Sequence, residues 1–192
     1  NIKNKIAPYA DVSSIYLMGD SAGGNIVHHA TAMILANNIP EVSRNPIKLK
    51  GIALLCPFFG GEARTPAEIR MNYSPLLSLK LCDWYWNAYL PVGATRDHQA
   101  SHVFGQHDTC DYAKLDFPPI MVVVAEHDML KDWQLWYVER FRQLGKRVSL
   151  EYCKGAFHSS LSSDGNLFSC HQKAVPIYGR IVVLSIAKQD IR

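Results

Sequence analysis

The sequence predicts an α/β domain with a mostly parallel sheet and helices on both faces. Three observations carry that expectation. Short, near-continuous apolar runs recur along the chain, as parallel strands covered on both faces require. Stretches with three- and four-residue apolar spacing lie between them. The order is strand, helix, strand, then again strand, helix, strand, which implies right-handed crossovers in one sheet.

The first strand is "SSIYLMG", 13–19, a run of β-formers that stops at a glycine. A helix follows from Gly24 to about Asn37, with Ile26, Val27, Ala30, Met33 and Ile34 on its apolar stripe. The second strand is "LKGIALLCPFF" at 49–59 and the third "PIMVVVAEHD" at 119–128. "DWQLWYVERFRQLGK", 132–146, reads as an amphipathic helix with Asp132 as its N-cap and Gly145 near its end. "RVSLEYC", 147–153, alternates and supplies a fourth strand.

The interval from about 60 to 118 breaks the rhythm. It holds a short aromatic helix, "LKLCDWYWNAYLP", and then a loop rich in His, Asp and Gly. Such an insertion is expected to form a lid or pocket wall over a scaffold site. The chain of 192 residues suits a single domain.

Bulk properties exclude several classes. Hydrophobic residues make up 48% and charged residues 19%, an ordinary globular balance. A formal charge of +3, with basic residues scattered, does not point to nucleic acid. The most apolar late run, "IVVLSIA", falls far short of the roughly 20 residues a membrane span needs. Five cysteines, odd in number and irregular in spacing, read as reduced and mostly buried thiols. A cytoplasmic location follows, with the nucleus as an alternative.

The chemistry gathers at "LMGDSAGGNIVHHA", 17–30. Gly19-Asp20-Ser21-Ala22-Gly23 satisfies G-x-S-x-G between an expected strand and an expected helix. The glycines are expected to allow positive φ and close helix–strand packing. The turn lifts the Ser21 hydroxyl above the sheet edge, where the Ala22 N–H and the helix dipole are placed to stabilise an oxyanion. A serine needs a base, and the base an orienting acid. In chain order Ser, Asp, His, each after a later strand, the candidates are Asp128 and His158. Glu126 sits close to its strand and Asp132 has the capping job, so Asp128 is the better acid. His28 and His29 read as packing or surface residues.

"GDSAGGN", followed by "HDMLKD" and "AFH", resembles the hormone-sensitive-lipase group of α/β-hydrolases. "LCDWYWNAYLPVGATRDH" resembles its plant carboxylesterase branch, which also contains the gibberellin receptors. The resemblance runs from about residue 5 to 160. It implies an α/β-hydrolase fold with Ser21 as nucleophile, Asp128 as acid, His158 as base, and Asp20 as part of the elbow beside the substrate. The receptors of the branch lack the catalytic histidine, so His158 favours an esterase over a hormone-binding module. The group also carries an H-G-G-G oxyanion loop and the first strands of the sheet upstream of the elbow. Nothing of that kind precedes Ser21 here, so the expectation is the C-terminal part of a longer hydrolase, its N-terminal strands missing. After His158 the tail at about 161–192 departs from the family pattern, with a helix considered near 174–189.

The expected activity is that of a serine carboxylesterase acting on small-molecule esters through an acyl-enzyme. The alternative is a non-catalytic small-molecule receptor or partner-binding protein on the same scaffold. Trp84, Tyr85, Trp86 and Tyr89 are candidates for an apolar substrate pocket, with packing of the lid helix as the equal alternative. His98, His102, His107 and Cys110 carry zinc-capable atoms, but turn residues and the missing second Cys/His pair make a solvated pocket-side loop the expectation. No metal and no cofactor are expected. The sequence leaves oligomeric state and ester identity open.

Overall fold

The computed structural model describes residues 15–36, 48–72 and 77–159. Four strands, β1 (Ile15–Asp20), β2 (Leu49–Leu55), β3 (Ile120–His127) and β4 (Val148–Phe157), form one sheet in the order β1-β2-β3-β4. Every neighbouring pair is parallel. Helix α1 (Ala22–Leu35) joins β1 to β2, and α4 (Lys131–Gln143) joins β3 to β4. Between β2 and β3 lie α2 (Pro66–Arg70) and α3 (Leu79–Tyr89).

The strands form where the apolar runs lie because both sheet faces are buried. Ile52, Leu54, Ile120, Val122 and Val124 point to one face and join Val27 and Ala32 of α1 and Tyr137, Val138 and Phe141 of α4. Ala53, Leu55, Met121, Val123 and Ala125 point to the other face and are equally buried. Register explains the division: Ile52 pairs with Ile120 and Leu54 with Val122, so like faces meet across the strands. Among the described residues, α1 and α4 both lie on the first face. The expected second helical layer is not among them, nor are the tail after Ser159 and the helix considered near 174–189.

Several boundaries differ from expectation. β2 ends at Leu55 rather than 59, because Cys56 adopts a φ of 41° and leaves the strand. β4 continues to Phe157 and does not alternate cleanly between buried and exposed. Its pairing with β3 shifts register between Ala125 and His127, where the Glu126 carboxylate accepts the Gly155 N–H at 2.7 Å. α4 begins at Lys131 with Leu130 in the capping position, so Asp132 is not the N-cap. Its carboxylate instead accepts the Ala67 N–H of α2 at 2.7 Å, tying the inserted segment to α4.

Segment 57–118 is divided: Phe59, Val103, Tyr112 and Phe117 join the first cluster, while Phe58, Leu77, Cys82, Trp86 and Leu90 form a third with Met129 and Leu130. Glu68, 1% exposed, is its polar hub. It closes a capping box with Thr65, accepts Trp133 Nε1–H at 3.0 Å, and lies 3.6 Å from the Arg96 guanidinium. The loop after α3 is less solvated than expected. Asn25 of α1 donates to the Ala100 carbonyl at 2.8 Å, Gly60 N–H donates to Ser101 O, and His102 lies against Trp133 and Trp136.

Candidate active site

Parallel strands bring their C-terminal ends to one edge, so the residue following each strand lands on that edge. Those residues are Ser21 after β1, Cys56 after β2, Asp128 after β3 and His158 after β4.

Ser21 occupies the capping position of α1 with φ 53° and ψ −116°. Serine is favoured there because its hydroxyl usually accepts a backbone N–H of the first turn, worth about 1 kcal/mol. Ser21 makes no such bond. Its Oγ donates instead to His158 Nε2 at 2.9 Å. The backbone is fixed around it: Ser21 N–H donates to Leu55 O at 2.8 Å, and Ser21 O accepts the Phe58 N–H at 2.9 Å. A non-glycine residue in this region stores on the order of 1–3 kcal/mol of strain, which these bonds must overcome.

The positive φ therefore falls on the serine, and on none of Gly19, Gly23 and Gly24. Gly19 and Gly24 serve close approach instead. A Cβ on Gly19 would meet Gly23 O, and one on Gly24 would lie 3.0 Å from Pro57 Cβ. Gly23 faces open space.

His158 Nδ1–H donates to Asp128 Oδ2 at 2.8 Å, which leaves Nε2 as the acceptor for Ser21. Asp128 is wholly buried and His158 6% exposed. Asp128 Oδ1 accepts Leu130 N–H at 2.9 Å, and Oδ2 also accepts from the Gln134 amide at 2.8 Å. Burial by itself pushes the His158 pKa down. The hydrogen bond and charge of Asp128, with the charge of Asp20, outweigh it and hold the pKa above the ordinary histidine value. Of the three carboxylates weighed from sequence, Asp128 is the one bonded to His158; Glu126 and Asp132 are held by Gly155 and Ala67.

Asp20 stands at the end of β1, its pKa raised by burial, and accepts the Ser159 hydroxyl at 3.1 Å. The Ala22 N–H is at the first helical position, where a backbone donor has no partner within the helix. Trp86 is buried and tilted against Phe58 with centroids 4.9 Å apart, while Trp84, Tyr85 and Tyr89 are exposed. A groove of about 680 Å³ opens elsewhere, lined by Thr65, Arg70, His102, Asp132, Trp133 and Trp136 among others. His28 is fully buried and bonds both the Tyr137 and Tyr112 hydroxyls, so it packs the core. His29 bonds the Ala100 carbonyl.

Among the described residues, the ligand-bearing atoms that come within 4.8 Å of one another belong to Cys56, Asp128 and His158, not to the His98–Cys110 loop. Asp128 and His158 already bond each other, and burial pushes the Cys56 thiol pKa strongly up, which opposes the thiolate a metal would need. Cys56, Cys82 and Cys110 are free thiols; Cys170 lies outside the described residues. No helix among the described residues is long and apolar enough to cross a membrane.

Two residues at the site escaped the sequence reading, Cys56 and Gln134. The signal for Gln134 was an amide inside the apolar stripe of Trp133, Tyr137, Val138 and Phe141.

A parallel sheet with an elbow serine at its C-terminal edge defines an α/β-hydrolase. The chain belongs to that family: the model of the alpha/beta hydrolase fold matches residues 2–162. It is 39% identical over 142 residues to Gibberellin receptor GID1B of Arabidopsis thaliana, covering 74% of this chain and 37% of that protein. It is 30% identical over 158 residues to 3-O-acetylpapaveroxine carboxylesterase CXE1 of Papaver somniferum, covering 81% and 48%. The chain thus spans less than half the length of these curated relatives. In fold it is similar to carboxyl esterase 2 of Tuber melanosporum, with a TM-score of 0.73 at 17% identity, over 94% of this chain and 59% of that one. The plant carboxylesterase resemblance read from the motifs agrees with these relatives.

Proposed function

We propose that this chain carries the catalytic centre of a serine carboxylesterase acting on small-molecule esters. The observation behind that reading is the chain of hydrogen bonds from Ser21 Oγ through His158 to Asp128, at 2.9 and 2.8 Å. In that mechanism Ser21 Oγ attacks the ester carbonyl while His158 Nε2 takes its proton. The Ala22 N–H and the N-terminal end of α1 face the developing oxyanion. His158 then hands the proton to the departing alcohol, leaving an acyl-serine. Water, activated by the same nitrogen, releases the acid and restores Ser21. Asp128 holds the tautomer and stabilises the transient imidazolium throughout. Asp20, Trp84, Tyr85, Trp86 and Tyr89 are assigned to the substrate side, with residues 60–118 as a pocket wall. The free thiols support a reducing, cytoplasmic location.

A second reading, a non-catalytic small-molecule binding protein, is favoured by the 39% identity to a protein named as a gibberellin receptor. The two separate on one assay of the full-length protein. Turnover of a short p-nitrophenyl ester, abolished by Ser21→Ala, is the expected result. A folded protein that binds ligands but shows no Ser21-dependent turnover selects the receptor.

A further inference from the structure

Gln134 is fully buried in a stripe of α4 that otherwise presents aromatic and aliphatic side chains. A buried amide costs stability unless its groups are paired. Both amide hydrogens of Gln134 have acceptors: Asp128 Oδ2 at 2.8 Å and Pro57 O at 3.4 Å. Its Oε1 is buried without a partner among the described residues. Packing alone would favour a methionine or leucine, which fills the same space and leaves no orphaned oxygen. The amide orientation is fixed by its neighbours, because the flipped form would set Oε1 against two acceptors.

The placement is specific in two ways. Oδ2 is the same oxygen that accepts the His158 Nδ1–H hydrogen bond, so Gln134 and His158 converge on one atom. Pro57 lies two residues past the end of β2, and the next N–H, from Phe58, bonds Ser21 O. One side chain thus spans the acid and the segment after β2 that hydrogen-bonds the elbow. We propose that Gln134 is a positioning residue, holding the Asp128 carboxylate toward His158 and tying it to the nucleophile's own support. The proposal rests on the serine-esterase reading above.

Glutamine fits this task better than its neighbours in size. Glutamate would set a second carboxylate against Asp128, methionine offers no donor, and asparagine is one methylene short. Without the Gln134 donor, more of the Asp128 charge bears on His158, and the imidazolium form gains. The other ionisable groups facing that centre are Asp20 from β1 and, just after β2, the Cys56 thiol, which burial keeps neutral. Neither is altered by a change at Gln134.

The test uses the full-length protein, fluorophosphonate labelling of Ser21 and NMR titration of His158. Gln134→Met should slow labelling roughly 10- to 100-fold, the range for a small misplacement of reacting groups. The His158 midpoint should move to higher pH. In the wild type, the Gln134 side-chain amide resonance should shift as His158 titrates, a readout that needs no variant to fold. A folded Gln134→Met protein with the wild-type rate and midpoint overturns the proposal, as does an amide resonance blind to the titration. If wild-type Ser21 fails to label, the esterase reading fails instead, and the NMR coupling still decides the role of Gln134.

Discussion

The elbow at 15–25 and the inserted segment at 57–118 are built on opposite principles. The elbow is held by backbone: Ser21 N–H on Leu55 O, Phe58 N–H on Ser21 O, and a glycine where the helix crosses the strand. The inserted segment is held by side chains. Glu68 bonds Trp133 and faces Arg96, Arg64 bonds Asp83 at 2.6 Å, and Asp132 caps α2 from another helix. A site that must place an oxygen within tenths of an ångström uses the stiffer construction.

Gly19→Ala should break the elbow outright. The new Cβ would fall on the Gly23 carbonyl, a backbone atom with no room to yield. A loss of at least about 4 kcal/mol, or failure to fold, is expected from thermal or urea melts. A variant with wild-type stability would show that the strand and helix are not in close contact there.

Glu68→Ala attacks the other construction. It leaves the Trp133 N–H without its acceptor and takes one of three carboxylates from the Arg96 guanidinium, which keeps Asp83 at 3.3 Å and the Glu62 carbonyl at 3.1 Å. Leaving that buried donor unsatisfied costs about 1–3 kcal/mol. Ser21 labelling of the folded fraction should stay within a few-fold of wild type, because Glu68 touches none of Ser21, Asp128 and His158. A collapse of labelling in still-folded protein would tie the inserted segment to the chemistry.

Ser21→Gly should do the reverse of Gly19→Ala. Glycine accepts the φ of 53° without strain, so the melt should shift up by about 1 kcal/mol while labelling vanishes. Lower stability would mean that the hydroxyl contributes more to the fold than the turn costs.

The same contrast governs what the sequence makes legible. β1, β2, β3, α1 and α4 stand out because burial on both faces of a sheet writes itself as apolar runs and stripes. Ser21, Asp128 and His158 could be placed because each follows a strand, and parallel strands share an edge. The inserted segment hid its organisation because Glu68, Arg96, Asp83 and Trp133 are far apart in sequence and meet only through tertiary folding. Asp132 departs from expectation for the same reason: acidic residues near a helix start usually cap it, and this one serves a different helix. Cys56 escaped because nothing in an apolar run marks the residue where the strand stops. Gln134 escaped because helical periodicity draws attention to apolar residues, and its meaning lies in the polar exception.

The central claim, that His158 held by Asp128 activates Ser21, is tested most directly by fluorophosphonate labelling of the full-length protein across pH, with His158→Gln beside the wild type. A base works only when neutral, and His158 holds its proton to higher pH than an ordinary histidine. Wild-type labelling should therefore rise with pH through a midpoint above about 6.5, while above that midpoint His158→Gln labels at least about 10³-fold more slowly. Labelling of His158→Gln at the wild-type rate, or a wild-type rate flat with pH, would contradict the account.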